Sequence, residues 1–368
     1  MASKIRVGIV GATVTPGGSG WGPNAHVPAL RALPDFELKA VCTAHEDTAR
    51  ASQAAFGAEL AFHDIHAMVA HPEIDLVVVS VRVPWHRDLV IPALQSGKAV
   101  FCEWPLGANL AEAEEMANLA RERSVRTLVG LQARSDPAFM YARDLIAEGH
   151  IGEVLTANLS VVGQAIIERG PGRIWQGVRA NGANTLTISG GHAIDALCFV
   201  LGEFSEVSAR LTTMIKEWRH EDSGQSFAVD SPDNIIAAGR LAGGAEVSVH
   251  VSSVPSNASG SRYEIFGREG ALVIRPAGAA NIGPNTLFAA QGTAALAEME
   301  IPERFRLVPE GTPAGPPLNV AQAYVRMAES LSKGEGYSPD FDLALTRHRL
   351  IDGIERSSAE RRTVRLEG

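Results

Sequence analysis

The sequence predicts an α/β Rossmann domain with a doubly wound parallel sheet, followed by an α+β domain with a large, mostly antiparallel open sheet. Three observations support this prediction. Buried β-branched runs such as Leu76–Val81 alternate with helical spacing, a Gly-rich turn follows the first strand, and short hairpin turns join later strands. The 368 residues exceed a typical single core of roughly 250–300. We expect domains over residues 1–132 and 133–368, with the C-terminal helices packing back.

Composition narrows the class of protein. The net charge is −9 and no Lys/Arg cluster stands out, which argues against a nucleic-acid surface. Of three cysteines, Cys42 and Cys102 fall in predicted strands, where they are expected as small core residues in a reducing compartment. The N-terminus runs directly into a strand, without a signal peptide or a membrane-length apolar run. We therefore expect a cytoplasmic protein without a membrane partner.

The first strand, Ile5–Val10, leads into a glycine-rich loop over Gly11–Gly22 and then a helix to Leu33. This order is typical of dinucleotide binding, because the glycines admit a pyrophosphate and the helix start offers free N–H groups. The loop is longer than a compact G-x-G-x-x-G, and a flexible surface loop is the alternative interpretation. The predicted cofactor-binding residues here are Gly11, Thr13, Gly20 and Trp21.

The second strand, Leu38–Cys42, ends at Thr43 and His45. An acidic residue at this position would bind the ribose of NAD, whereas an arginine would accommodate the 2′-phosphate of NADP. Neither residue type is present at Thr43 or His45. Both are predicted to bind cofactor, and the sequence leaves NAD and NADP equally open.

Two further strands, Leu76–Val81 and Ala99–Cys102, end in chemically distinctive turns, and Thr127–Leu131 forms another short strand. Ligands of open α/β sheets bind beyond the carboxyl ends of the strands. Structural roles are the alternative: His86 would cap a helix, Glu103 would cap a neighbouring backbone segment, and Trp104 would form a wall of the crevice. The predicted cofactor-binding residues at these ends are Val83, Pro84, His86, Glu103, Trp104 and Arg134.

The sequence pattern changes after Gly149: the strand Glu153–Val162 is followed by hairpins across residues 242–245 and 267–270. An open sheet needs its outer face covered, so we expect a homodimer or homotetramer. Asn319–Lys333 and Leu343–Ala359 are predicted to be helices that close the structure. The stretches predicted to be least structured are Lys216–Ser231 and Arg275–Pro284.

The strongest catalytic candidates are His192 and Asp195, about one helical turn apart after two glycines. Histidine accepts protons near neutral pH, and a nearby carboxylate could orient it. A helix-start histidine with a packing carboxylate is equally compatible. Trp175 and Asn184, in the preceding segment with Arg179 and Asn181, suit a polyol pocket. The histidines lack metal-ligand spacing, so no metal site is predicted.

At these residues the chain resembles the Gfo/Idh/MocA family, the glucose–fructose oxidoreductase and inositol dehydrogenase group. The resemblance covers Val7–Gly11, the turn to His86, Glu103-Trp104-Pro105, His192–Gly202 and Pro339-Asp340-Phe341. Gly20-Trp21-Gly22, His26–Leu30 and Cys102–Gly107 are similar to the branch that contains the fungal galactose/lactose-regulon repressor. The resemblance implies an NAD(P)-binding Rossmann domain, an oligomer formed through the open sheet, and a sugar or polyol substrate.

The resemblance also implies hydride transfer to nicotinamide, with His192 on the family's proton-accepting histidine and Asp195 on the aspartate after it. Two positions depart from the family pattern. Trp104 stands where a lysine would touch substrate and nicotinamide, and Ile188 stands where a carboxylate commonly occurs. Losing a donor to the reacting oxygen typically costs roughly 10²–10³ in rate.

Three functions follow as hypotheses from these residues. The first is an NAD(P)-dependent oxidoreductase of a sugar, polyol or glycoside, with His192 as base and Trp104, Trp175, Asn184 and His192 contacting substrate. The second is a non-catalytic NAD(P)-binding regulator, which the two departures favour. The third is an NAD-dependent glycosidase that oxidises its sugar transiently and returns the hydride.

Overall fold

The computed structural model describes residues 4–14, 20–164 and 167–366. In this part of the chain, six parallel strands form one sheet in the order β3-β2-β1-β4-β5-β6. The doubly wound parallel sheet is therefore confirmed. The elements in chain order are β1 (Ile5–Val10), α1 (Val27–Ala32), β2 (Phe36–Cys42), α2 (Glu46–Phe56), β3 (Leu60–Phe62), α3 (Ile65–Ala70), β4 (Leu76–Val79), α4 (His86–Gln95), β5 (Ala99–Glu103), α5 (Leu110–Glu122) and β6 (Thr127–Gly130).

The sequence explains the centre of this sheet directly. All four side chains of β4 are buried, as expected for an apolar strand covered on both faces. Strand order reverses between β1 and β4, which creates the crevice where dinucleotides bind in this topology. A π-helical turn over Gly22–His26 precedes α1 and has a proline in its first turn. Residues 15–19 of the predicted glycine-rich loop lie outside the described residues.

The chain divides into two compact units, Met1–Gly130 with Leu307–Leu345, and Leu131–Arg306 with Thr346–Gly368. The sequence placed all of 133–368 in the second domain. In the structure, α8 (Pro316–Lys333) belongs to the first unit, because Tyr324 on its apolar face packs against Phe36 and Phe101 at 5.0 and 5.2 Å between ring centres. The predicted boundary near residue 132 stays a prediction.

The second unit contains a large sheet in the order β17-β16-β15-β14-β7-β13-β12-β9-β18. Its neighbours pair antiparallel except β7 and β13, so the mostly antiparallel prediction is confirmed. The elements are α6 (Pro137–Ala147), β7 (Val154–Gln164), β8 (Glu168–Arg169), α7 (Gly191–Leu201), β9 (Phe204–Thr212), β10 (Glu217–His220), β11 (Ser226–Ala228), β12 (Asn234–Leu241), β13 (Glu246–Val254), β14 (Gly260–Gly267), β15 (Gly270–Pro276), β16 (Asn285–Gln291), β17 (Ala297–Glu298) and β18 (Val364–Arg365). Helix α9 runs over Phe341–Glu360.

A second, smaller sheet has the order β11-β10-β8. Lys216–Ser231 supplies β10 and β11, so the prediction that this segment is among the least structured stretches is wrong. Both strands are short and mostly polar, so their sequence carries little strand signal. Trp218 anchors them from inside, with its ring centre 5.9 Å from that of Phe227.

No helix among the described residues is long and apolar enough to cross a membrane. Nor do three or more His, Cys, Asp or Glu side chains in that part of the chain form a group able to hold a metal ion. All three cysteines are buried thiols, and burial raises the pKa of Cys42 to about 12.

Candidate functional site

Gly11 lies at the carboxyl end of β1, beside the point where strand order reverses. Its φ of +95° belongs to the left-handed region that favours glycine. A Cβ at this position would overlap the backbone carbonyl of Ser80, which follows β4. The Gly11 N–H donates to the Cys42 carbonyl at 3.1 Å. Glycine therefore allows the ends of β1 and β4 to approach each other at the crevice.

The described part of the Gly-rich loop also contains Gly20 and Trp21. Gly20 has a φ of +73°, and Trp21 begins the helical turn that continues into α1. Among the described residues, the buried indole Nε1 of Trp21 finds no hydrogen-bond acceptor. A bound polar group beside the loop would satisfy this donor, so the loop fits a dinucleotide. Thr13 lies in the same loop.

Thr43 and His45 follow β2. The Thr43 hydroxyl donates to the His45 carbonyl at 3.0 Å and lies 2.7 Å from the Thr48 hydroxyl. It therefore closes the turn into α2 and is only 8% exposed. The His45 side chain is exposed at the same strand end. Cofactor contact by either residue stays a prediction.

His86 is completely buried and links two strand-end turns. Its Nδ1 lies 2.8 Å from the Pro105 carbonyl oxygen, and its Nε2 lies 3.2 Å from that of Val81. Burial lowers the pKa of His86, so the ring is neutral and has a single N–H. The ring therefore donates to one of these two carbonyls. His86 thus holds together the turns that carry Val83–Pro84 and Trp104–Pro105.

Glu103 ends β5 and belongs to a buried triad that sequence reasoning missed. Its Oε1 lies 2.8 Å from His26 Nε2, and His26 Nδ1 lies 2.8 Å from the Tyr324 hydroxyl. Burial raises the pKa of the Tyr324 hydroxyl, which therefore donates to Nδ1 while Nε2–H donates to the carboxylate. Trp104, the next residue after Glu103, is 5% exposed.

In the second unit, His192 lies in the first turn of α7 and is partly exposed. A π-helical turn over Thr185–Gly190 leads into this helix. Asn184 begins that turn, and its Oδ1 accepts the backbone N–H groups of Leu186 and Thr187 at 2.9 and 3.2 Å. The predicted polyol-binding amide therefore fixes the segment that carries His192.

Asp195, one turn after His192, is fully buried within an ion-pair network. Its carboxylate accepts two hydrogen bonds from Arg134, both 2.8 Å, and one from Arg347 at 3.2 Å. Arg347 also donates to Glu203 at 2.9 Å. Burial raises the pKa of Asp195, but the two guanidinium groups outweigh it and hold the pKa below the ordinary 3.8. Asp195 thus fixes α7 to other elements of its unit.

Arg134 and Arg347 acquire clear structural positions from this network. The Nε and Nη2 groups of Arg134 both donate to Asp195. The predicted contact of Arg134 with the cofactor stays a prediction. Arg347 was missed, although it is completely buried. The sequence feature that could have revealed Arg347 is a charged residue within the apolar stripe of α9, which Ala344, Leu350 and Ile351 form.

Trp175 lies in a 3₁₀ turn over Ile174–Gly177. Its indole N–H donates to the Gly172 carbonyl at 2.9 Å, and its own carbonyl accepts from Asn181. These bonds stabilise the segment between β8 and α7. The substrate contact predicted for Trp175 stays a prediction.

A six-stranded Rossmann order with a glycine at the switch point defines a dinucleotide-binding protein with a second α+β unit. A family model described as "Oxidoreductase family, NAD-binding Rossmann fold" matches residues 5–131, and a model of the Gal80p C-terminal domain matches residues 137–276. The chain belongs to the Gfo/Idh/MocA oxidoreductase family. This confirms the family resemblance and the nicotinamide dinucleotide as cofactor class.

The relatives include dehydrogenases and a regulator. Dehydrogenase aclE of Aspergillus oryzae is 30% identical over 97% of both chains. Levoglucosan dehydrogenase of Pseudarthrobacter phenanthrenivorans is 28% identical over 73% of both. The galactose/lactose metabolism regulatory protein GAL80 of Saccharomyces cerevisiae is 29% identical over 66% of this chain and 59% of its own. The structure of a Gal80p super-repressor mutant superposes with a TM-score of 0.86, covering 99% of this chain and 98% of that chain at 25% identity.

Proposed function

We propose that this protein is an NAD(P)-dependent dehydrogenase that oxidises a hydroxyl group of a sugar, polyol or glycoside, with His192 as the proton acceptor. The observation that carries this proposal is the position of His192, partly exposed in the first turn of a helix anchored by Asp195. A neutral imidazole can accept the proton of a substrate hydroxyl. Asp195 acts as a positioning residue, because its oxygens accept arginine N–H groups.

The cofactor would be held at the strand ends of the first unit. When bound, the oxidised nicotinamide accepts the hydride that leaves the substrate carbon. Gly11 allows the ends of β1 and β4 to approach each other at the crevice. The Trp21 indole N–H offers a donor, and Trp104 supplies an apolar wall with little exposed surface. The remaining residues proposed to contact NAD(P) are Thr13, Gly20, Thr43, His45, Val83, Pro84, His86, Glu103 and Arg134.

The names of two dehydrogenase relatives support a sugar or polyol as substrate, namely levoglucosan dehydrogenase and the Thermotoga maritima myo-inositol 2-dehydrogenase, which matches 40% of this chain. Asn184 and Trp175 suit this class, because amides bind hydroxyl groups and aromatic rings pack against sugar C–H faces. Asn184 has its oxygen engaged in capping, so its NH₂ group is the part offered to a ligand.

A regulator that binds a dinucleotide without turnover is the second candidate. Trp104 and Ile188 occupy the positions where the resemblance places a lysine and a carboxylate. An indole cannot supply the positive charge that a lysine would bring to the reacting oxygen. The relationship to the regulatory protein GAL80 supports the same interpretation.

The test begins with the nicotinamide carried through purification, identified by absorbance and mass spectrometry before sugars and aryl glycosides are added. A dehydrogenase reduces the bound nicotinamide, and His192→Ala then lowers kcat by about 10²–10⁴. His66→Ala, at an exposed position of α3, is the matched control and keeps wild-type turnover. Glycoside cleavage without net reduction would indicate the glycosidase. Bound cofactor that no sugar or glycoside perturbs would support the regulator.

We also propose that the protein is a homodimer or homotetramer formed through the outer face of the large sheet. Ile236 and Phe266 remain 52% and 37% exposed on that face, while their neighbours Ile235 and Ile265 are buried. Light scattering after size exclusion tests this, and Ile236→Lys should shift the mass toward the monomer. A wild-type protein that is monomeric at micromolar concentration would contradict the proposal.

A further inference from the structure

The second unit contains a polar cavity of about 210 Å³. Asn184 and Ser189 line one part of it, and Arg169 and Arg173 line another. Ser189 stands three residues before His192 in the chain. The cavity and the proposed proton acceptor are therefore carried by one continuous segment.

Arg169, at the end of β8, is an unusual cation. Its guanidinium carbon lies 4.5 Å from the ring centre of Trp218, and its Nε is buried. In the described part of the chain, Nε has no hydrogen-bond acceptor, and no carboxylate lies within 4.0 Å of either Arg169 or Arg173. Burial and the charge of Arg173 both lower the pKa of Arg169. Guanidinium nonetheless keeps its charge at any physiological pH.

Asp233 is the acidic residue that lines this cavity, and its oxygens are already engaged. One oxygen accepts the Met214 N–H at 2.8 Å and the other accepts the Ile215 N–H at 2.7 Å. Its carboxylate therefore serves the turn after β9. The two arginines are left as a local positive pair in a protein whose net charge is −9.

A partly buried cation without a counterion is costly, and it is stabilised when an anion binds beside it. The planar guanidinium matches the two oxygens of a carboxylate or the oxygens of a phosphate. The guanidinium of Arg169 already lies over the Trp218 ring, which reduces the freedom lost on binding. The amide of Asn184 and the hydroxyl of Ser189 suit the hydroxyl groups of a sugar.

We propose that this cavity binds the oxyanion of an acidic sugar, so that the substrate is a sugar carrying a carboxylate or a phosphate ester. This inference rests on the proposed function for its catalytic part. The anion-binding part stands by itself, because it depends only on residues of the second unit. Arg169 and Arg173 are the specificity-determining residues for the charged group.

The experiment measures binding and turnover separately on the full chain. Calorimetry with glucuronate, glucose 6-phosphate and glucose gives binding without any redox step, and NAD(P)⁺ reduction gives turnover with the same three compounds. We expect an acidic sugar to bind at least about tenfold more tightly than glucose. Preference for glucuronate identifies a carboxylate, and preference for glucose 6-phosphate identifies a phosphate ester.

The variants are Arg169→Gln and Arg173→Gln, with Arg219→Gln on the exposed side of neighbouring β10 as the matched control. Arg173 is exposed, so its variant keeps the test valid if Arg169→Gln folds poorly. Each cavity variant should weaken binding of the acidic sugar by about 10- to 100-fold, as expected for a lost charge-assisted hydrogen bond. Binding of glucose and all properties of the control should remain unchanged.

The outcomes separate the two proposals. Arginine-dependent binding of an acidic sugar without turnover supports the oxyanion site and contradicts the dehydrogenase. Turnover of glucose with no preference for either acidic sugar overturns the oxyanion site and leaves the dehydrogenase intact. Equal binding of the acidic sugars by wild type and both cavity variants also overturns the oxyanion site.

Discussion

Replacing Asp195 by asparagine tests whether the buried ion-pair network holds α7 in place. The wild-type carboxylate accepts three charge-assisted hydrogen bonds from Arg134 and Arg347. Such bonds contribute about 1.5–3 kcal/mol each. Asparagine retains one acceptor oxygen and Arg347 retains Glu203, so the net loss is smaller than the sum. We expect the substitution to destabilise the second unit by about 3–5 kcal/mol, the range for breaking a buried pair.

The assay is thermal unfolding followed by circular dichroism. In a domain of 150–250 residues, each kcal/mol shifts the Tm by about 2–4 °C, so the expected decrease is about 6–20 °C. The control is Glu153→Gln, which breaks an exposed ion pair with Arg268. Solvent screens that pair, so the control should unfold close to the wild-type temperature. Equal Tm values for the Asp195 variant and the control would refute the proposed role of the network.

The same substitution has a defined pH dependence. Because the folded pKa of Asp195 lies below its ordinary value of 3.8, the carboxylate stabilises the fold above that pH. The stabilisation is lost as pH falls from 3.8 toward the lower folded pKa. The difference in Tm between wild type and Asp195→Asn should therefore stay constant from pH 5 to 8 and narrow below about pH 4. A difference that is still full at pH 2 would show that the charge of Asp195 is unimportant.

Two further substitutions test the first unit. Gly11→Ala places a Cβ against the Ser80 carbonyl at a left-handed φ, so backbone strain alone should destabilise the protein by about 1–3 kcal/mol and cofactor retention should fall. The control is Gly278→Ala, whose Cβ would enter open space. Its free energy of unfolding, measured by chemical denaturation, should lie within about 0.5 kcal/mol of the wild-type value. Tyr324→Phe leaves His26 Nδ1 without its hydrogen-bond donor and should lower the free energy of unfolding by about 1–3 kcal/mol. Tyr141→Phe on α6 is its control and should leave the free energy of unfolding nearly unchanged. Similar losses for both members of either pair would contradict these explanations.

The first sheet was predictable because its signals are local. A β-branched run such as Leu76–Val79 indicates a buried strand by itself, and Gly57 and Gly97 adopt the left-handed φ expected after a helix. The hairpin between β12 and β13 follows from a short turn between alternating strands. In each case the residues that decide the structure are neighbours in the sequence.

Contacts between distant residues were not predictable from these patterns. His26 and Tyr324 are 298 positions apart, and Asp195 and Arg347 are 152 apart. Helix α8 has an amphipathic pattern that predicts a buried face but does not specify the partner of that face. This is why residues 307–345 were expected with the second unit. Charged or polar residues within apolar stripes, such as Arg347, are the signal that a search for such networks should use.

The oxyanion site bears on both candidate functions. A partly buried Arg169 without a carboxylate partner destabilises the free protein, whichever activity the chain has. A neutral sugar would not compensate for that charge, so the cavity favours an anionic ligand in an enzyme and in a regulator alike. What separates the two functions is His192, because a sensor needs the anion to bind but needs no proton acceptor. A His192→Ala protein that still binds an acidic sugar through Arg169, while its kcat falls by about 10²–10⁴, would therefore assign recognition and chemistry to different residues of the same unit.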